Sequence, residues 1–377
     1  MNFELTQERQ MLQDTLRRFL ADRYGVAVRQ EILRSPAGQS TEIWQALADL
    51  GILAALFSET DGGFGGGGFD LAVVFEELGR AGVVEPVLDT GVLAGGLIAA
   101  LGDTAQRAQL EVLMGGGLQL AFAHGEPASR YEPSWVETTA QLTGDQVVLT
   151  GRKAVVINAE AADYLIVSAR ESGAVDAPEG VSLFMVPANS TGLAVQGYPL
   201  LAGGRAAEVT LDAVQLPATA RLGPAGGAAP AIATALARAA VALGAETLGA
   251  METAARLTRD YLMTRKQFGR PIGSFQALAH RMSDMLIELE QARSAVINAA
   301  GHLNDDDRTR DLHISAAKNL LGRAGRLLAE ESIQMHGGIA MTQEYELAHI
   351  AKRIMMADHR FGDEDYHMER FIALSAQ

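Results

Sequence analysis

Apolar residues recur at helical spacing from the start of the chain. In "MLQDTLRRFL", Met11, Leu12, Leu16, Phe19 and Leu20 fall on one face, and in "EIWQALADLGILAAL" Ile43, Trp44, Leu47 and Leu50 do the same. "LAVVFEELGRAG" and "VLDTGVLAGGLIAALG" predict two more helices, so residues 1–118 read as an N-terminal α-helical domain. Between the second and third segments lies "TDGGFGGGGFD", which by composition is either a flexible connection or a loop bordering a ligand. From residue 119 the period changes to alternation. "ETTAQLTGDQVVLTGRKAVVINA" carries turn signals between alternating runs, and "DYLIVSARE", "VSLFMVPAN", "LAVQGYPL" and "AAEVTLDAVQL" continue the pattern. This predicts a middle antiparallel β-domain over 119–225. From 226 the helical period returns in four long segments, predicting a C-terminal four-helix bundle over 226–377. The fold class is therefore α+β in separate domains.

Composition narrows the chemistry. The chain has no Cys among its 377 residues, which excludes disulfides, Cys-ligated zinc, iron–sulfur clusters and a thiol nucleophile. A net charge of −15 argues against nucleic acid, and a phosphate-bearing ligand would have to be met by local arginines. The start "MNFELTQERQ" lacks a basic segment followed by an apolar core, and runs such as "AGGLIAALG" are too short to cross a bilayer. No membrane insertion and a cytoplasmic location are expected. No His-x-x-x-His spacing favours a metal site.

Two corners stand out. "TRKQFGRPIGSFQ" (264–276) halts a long helix with Arg265 and Lys266, turns on glycines, and restarts a helix at Gln276. "IQMHGGIAMTQEY" (333–345) ends another helix at Gly337 and Gly338; alone, that is a common helix cap. The two together, in this order after an α-domain and a β-domain, resemble the acyl-CoA dehydrogenase family over essentially the whole chain. The resemblance implies tightly bound FAD, an acyl-CoA substrate, an electron-accepting flavoprotein and assembly as homo- or hetero-oligomers, typically tetramers. It assigns Arg265, Gln267 and Phe268 to the FAD of a neighbouring subunit, with the guanidinium suited to the pyrophosphate. It brings Gln334, Gly337 and Gly338 to the same dinucleotide, and Gln276 to its support. "FAHGEPAS" looks like the flavin-edge strand and its Glu126-Pro127 loop, with Ser129, like Arg238, toward the CoA side. "RKAVVINA" keeps Lys153 and Asn158 of a family run, but Val155 and Ile157 replace the Trp and Thr that contact the flavin.

The family reaction needs a carboxylate base for the α-proton. The usual Glu position holds Phe361 here, and the minority position holds Ala237, just before Arg238. Asp363 and Glu364, within a turn of Phe361, are the candidate bases; the alternative is that "DEDYH" is only an acidic helix start. Glu246, nine residues past Ala237, is about 13 Å along the axis and half a turn round, which predicts a structural acid or subunit contact. His336, His359 and His367 fall near these corners. Missing carboxylates also fit members that work as unlike pairs, one subunit carrying the Glu. The chain looks similar to the small subunits of the pimeloyl-CoA dehydrogenase type.

Overall fold

A computed structural model describes residues 5–376. The first layer is helical: α1 (Gln7–Arg23), α2 (Val26–Arg34), α3 (Thr41–Asp49) and α4 (Gly68–Ala81), then a π-helix (Leu88–Gly95) continued by α5 (Gly96–Leu101), α6 (Thr104–Arg107) and α7 (Gln109–Met114). Thr6 and Ser40 cap α1 and α3 by accepting the Arg9 and Ile43 amides. The helix expected over "VLDTGVLAGG" is thus π-wound before it becomes α-helical, and its first turns are fully buried.

The middle layer holds β1 (Leu120–Ala123), β2 (Thr139–Thr143), β3 (Gln146–Ile157), β4 (Tyr164–Arg170), β5 (Val181–Pro187), β6 (Leu193–Pro199), β7 (Arg205–Pro217) and β8 (Arg221–Leu222). Their order is β6-β7-β3-β2-β4-β5-β8, with β1 added on β4. The sheet is antiparallel except at β4, which pairs in parallel with β1, Leu120 opposite Tyr164, and at one position with β2, Thr139 opposite Arg170. A wholly antiparallel sheet was expected. The difference arises because the 124–138 loop carries the chain back before β2 begins, so β1 and β2 point the same way relative to β4.

The last layer is α8 (Ala229–Thr264), the hairpin β9 (Lys266–Gln267) and β10 (Arg270–Pro271), then α9 (Gln276–Gly301), α10 (Asp307–His336), α11 (Glu346–Ala357) and α12 (Glu364–Ser375). Among the described residues α8 is the one helix long and apolar enough to cross a bilayer, yet 67% of its apolar window is buried by protein. One core runs unbroken from the N-terminal helices into the bundle, while the sheet closes a second around Leu149, Val167 and Phe184.

The joint between the first and last layers is the crossing of α4 and α8. Here two backbones touch. A Cβ on Gly79 would overlap the Glu246 carbonyl, and one on Gly249 would overlap that of Glu76. Each helix thus supplies a glycine to the other's backbone, which no larger residue allows without separating them. Polar groups ring the contact: Thr253 Oγ1 donates to the Arg80 carbonyl at 2.8 Å, Arg80 pairs with Glu76 and Glu252, and Arg17 pairs with buried Glu77 at 2.6 Å. The Gly-rich loop before α4 is packed rather than slack. Arg238 of α8 donates to the carbonyls of Gly66 at 2.8 Å and Leu56 at 3.1 Å.

Replacing Gly79 with Ala should destabilise by about 1–3 kcal/mol, the range for overpacking. Thermal unfolding checks this, with Gly96→Ala, whose added Cβ meets nothing within 4 Å, as the control whose midpoint should not fall.

Candidate active site

A cavity of about 120 Å³ opens where the three layers meet. The sheet contributes the end of β3, with Ile157 and Asn158; α4 contributes Phe75 and Leu78; α8 contributes Leu243. The Asn158 amide is fixed by Gln119 Oε1 at 3.2 Å, and its oxygen accepts from Gln39 at 3.0 Å, so the strand end is tied to the helical layer.

The remaining lining is charged. Four carboxylates face the cavity, Glu85, Asp89, Glu160 and Glu246, with three arginines, Arg205, Arg353 and Arg360. Glu160 is held by Arg205 at 2.6 Å, Glu246 by Arg353 at 2.6 Å, and Asp89 by Arg360 at 2.7 Å. Glu85 has no arginine; it accepts from the Tyr24 hydroxyl at 2.8 Å and the Ser40 amide at 3.0 Å. Burial pushes the carboxyls of Glu85 and Asp89 above their ordinary range, against those hydrogen bonds and Arg360 respectively. Asp89 stands in the first turn of the π-helix.

Behind the strand end lies a buried polar cluster. Lys153 Nζ donates to Glu126 Oε1 at 2.7 Å and to Ser168 Oγ at 2.9 Å, and Glu126 also accepts the amides of Glu137 and Thr138. Burial brings the Lys153 ammonium down to about 8, with Glu126 pulling the other way. This pair anchors the loop after β1 to β3. Just beyond it β3 bulges, and Val155 is thrust outward at φ +54°, a conformation unfavourable for a β-branched residue. Val155 is exposed and Ile157 half-buried.

The two corners are neighbours in one chain. Tyr261 near the end of α8 stacks on His336 at the end of α10, ring centroids 4.5 Å apart. Beyond Arg265, the Phe268-Gly269 turn has φ +52° and +80°, the pattern of a tight two-residue hairpin. Phe268 is 91% exposed, held only at an edge by Phe275 at 6.0 Å. Gly337 has φ +67°, and a Cβ on it or on Gly338 would meet no atom within 4 Å. Arg265, Gln267, Gln276 and Gln334 are all exposed.

All three layers match models of one family: the acyl-CoA dehydrogenase N-terminal domain over residues 6–113, the middle domain over 121–214 and the C-terminal domain over 226–374. The chain belongs to the acyl-CoA dehydrogenase family. It is 30% identical over 352 residues, 92% of each chain, to the probable acyl-CoA dehydrogenase YngJ of Bacillus subtilis. Among solved structures it resembles a Tcur3481–Tcur3483 steroid acyl-CoA dehydrogenase variant, 30% identical with TM-score 0.87 over 98% of both chains. It also resembles the ChsE4–ChsE5 complex of Mycobacterium tuberculosis, 25% identical with TM-score 0.89, covering 100% of this chain and 99% of that one.

As an acyl-CoA dehydrogenase the chain is an FAD-dependent oxidoreductase of acyl-CoA thioesters. Its surface suits that cofactor. The hairpin offers an Arg265 that has no side-chain partner among the described residues and an uncovered aromatic, and the Gly337-Gly338 backbone leaves open the space a dinucleotide would fill.

The family's other positions have different occupations here. Phe361 is half-buried at φ +59°, and Ala237 is buried. Asp363 caps α12, accepting the Tyr366 amide at 2.9 Å, and Glu364 faces Arg326 at 3.4 Å; neither lines the cavity. The sequence-based choice of these two acids as bases thus meets a helix cap and an ion pair instead. Ser129 is buried, its hydroxyl closing a turn onto the Glu126 carbonyl at 3.0 Å, and Arg238 spans α8 to the Gly-rich loop. Neither side chain lines the cavity. Glu246, for which the sequence predicted a structural acid or a subunit contact, is ion-paired with Arg353 and lines the cavity.

Asp89, Arg353 and Arg360 are the residues that sequence reasoning missed. Their signals were an acid inside the apolar run "VLDTGVLAG" and an Arg just before Phe361. His336 supports its corner, joined to Tyr345 at 3.1 Å, while His359 is exposed. His367 lies beneath the Phe361 turn: its Nε2 donates to the Phe361 carbonyl at 2.8 Å.

Burial, then Lys318, lowers the His367 pKa from 6.5 to about 4; burial, then Lys153, lowers that of His124 to about 3. Both imidazoles are neutral in the fold while the unfolded chain takes up protons below 6.5. Stability should therefore hold above pH 6.5 and fall as the pH drops toward 4. His367→Gln should make the fall shallower, as measured by unfolding midpoints across that range.

Proposed function

We propose that this chain takes part in the α,β-dehydrogenation of an acyl-CoA to a trans-2-enoyl-CoA, with the thioester end of the acyl group in the three-layer cavity. The observation that carries this is the cavity's boundary: the β3 end with Ile157 and Asn158 on one side, and on the other the α11 end leading through Arg360 to Phe361. The reaction removes a proton from the α-carbon and a hydride from the β-carbon, leaving a double bond between them. FAD, when bound, supplies the two-electron acceptor for that hydride. The chain's residues orient the substrate and exclude water. The apolar side chains of Phe75, Leu78 and Leu243 pack the acyl group, and the Glu126–Lys153 pair fixes the strand end that faces it. A separate electron-accepting flavoprotein takes the electrons onward.

A second reading concerns the proton. Asp363 could act as base only by giving up its helix cap, and Glu364 only by leaving Arg326. That favours an assembly in which a Glu-bearing partner chain supplies the carboxylate and this chain completes the FAD and CoA sites. Two structural relatives named for paired chains agree with it.

Anaerobic titration with acyl-CoA thioesters, read at the oxidised flavin band, tests both. The purified chain alone should retain its flavin colour, and addition of a Glu-bearing partner should allow bleaching. Bleaching by the chain alone, abolished in Asp363→Asn or Glu364→Gln, would return the base to this chain. A flavin that no thioester bleaches in any assembly would overturn the dehydrogenase reading itself.

A further inference from the structure

The cavity joins an apolar wall to a polar end, and the polar end is incompletely paired. Arg360 uses one nitrogen, Nη2, on Asp89 Oδ1; its ring neighbour Phe361 lies 4.9 Å from the guanidinium carbon. Among the described residues no other acceptor engages Arg360, and Asp89 takes its one side-chain hydrogen bond from Arg360, with its own backbone amide as a further donor. These atoms are not sealed from solvent: the Arg360 side chain is 32% exposed, and both residues line the cavity. Unengaged guanidinium N–H groups of Arg360, with the Asp89 carboxylate beside them, therefore stand on the wall of the space that the acyl group would fill.

Three kinds of acyl chain meet this surface differently. A plain alkyl chain would strip water from those groups and return nothing, leaving each polar group unmatched. A chain ending in a carboxylate would bring a further negative charge to a cavity with four carboxylates and three arginines, each arginine already holding an acid. A neutral hydroxyl or keto oxygen adds no charge. It accepts from Arg360, and a hydroxyl can also donate to Asp89.

We infer that the acyl-CoA received here carries a neutral oxygen, hydroxyl or keto, on its acyl group beyond the β-carbon, held by Arg360 and Asp89. The inference rests on the proposed acyl-CoA site. It makes Asp89 and Arg360 specificity-determining residues, and discrimination rather than chemistry is what they change.

Isothermal titration of the full-length, FAD-loaded protein with three six-carbon thioesters tests it. The probes are hexanoyl-CoA, 5-oxohexanoyl-CoA and adipyl-CoA. The expected result is 5-oxohexanoyl-CoA binding at least ten-fold more tightly than hexanoyl-CoA, with adipyl-CoA weakest. In Arg360→Gln, and independently in Asp89→Asn should the first variant fold poorly, that ratio should shrink below about three-fold. Equal or tighter binding of hexanoyl-CoA would overturn the inference, as would adipyl-CoA binding best. A ten-fold ratio that survives in a folded variant would equally remove these two residues from the account. Failure of all three thioesters to bind would instead strike at the acyl-CoA reading beneath it.

Discussion

The glycine-mediated contact of α4 with α8 is the constraint on which the rest depends. Gly79 and Gly249 let two helix backbones meet, and the residues around them then have little freedom of position. Phe75 and Leu78 sit on the turn of α4 just before Gly79, and Leu243 and Glu246 on the facing turn of α8. All four line the cavity, so the spacing of the crossing is also the width of the site. The dense core that joins these layers makes the arrangement rigid, since packed interiors do not deform continuously. The ion pairs around the crossing are mixed in worth. Exposed members contribute little, whereas Glu77, almost wholly buried beside Arg17 and Arg80, would be costly to leave alone.

The sheet does a different task. It presents one strand end to the cavity and anchors it from behind with Lys153, Glu126 and Ser168. The bulge that follows places Val155 outward in a strained conformation. The corners at Phe268 and Gly337-Gly338 are open on the single chain.

Much of this was legible in the sequence. Helical and alternating periods marked the three layers, because amphipathic elements must bury one face. The corners were legible as turns, because Gly in those contexts answers to backbone geometry that other residues resist. The parallel placement of β1 was not, since strand direction depends on the path of the 124–138 loop, which no local pattern encodes. The role of Asp363 was half-visible: an acid opening a helix is a cap by its own chemistry, and that chemistry is what the structure shows. Asp89 and Arg360 stayed hidden because they lie 271 residues apart and become a pair only when the layers close. Arg238 illustrates the reverse case, where the family suggested a substrate-side cation and the local fold uses it to clasp a glycine loop.

The central claim is that the acyl thioester lies in the cavity between the β3 end and the α11 end. The most direct test is an experimental structure of the FAD-loaded assembly with a non-oxidisable acyl-CoA thioether bound. The α- and β-carbons of the ligand should lie between Asn158 and Phe361, with the acyl tail along Phe75 and Leu243. A ligand whose acyl group lies outside this cavity, with Asp89 and Arg360 remote from it, would contradict the account.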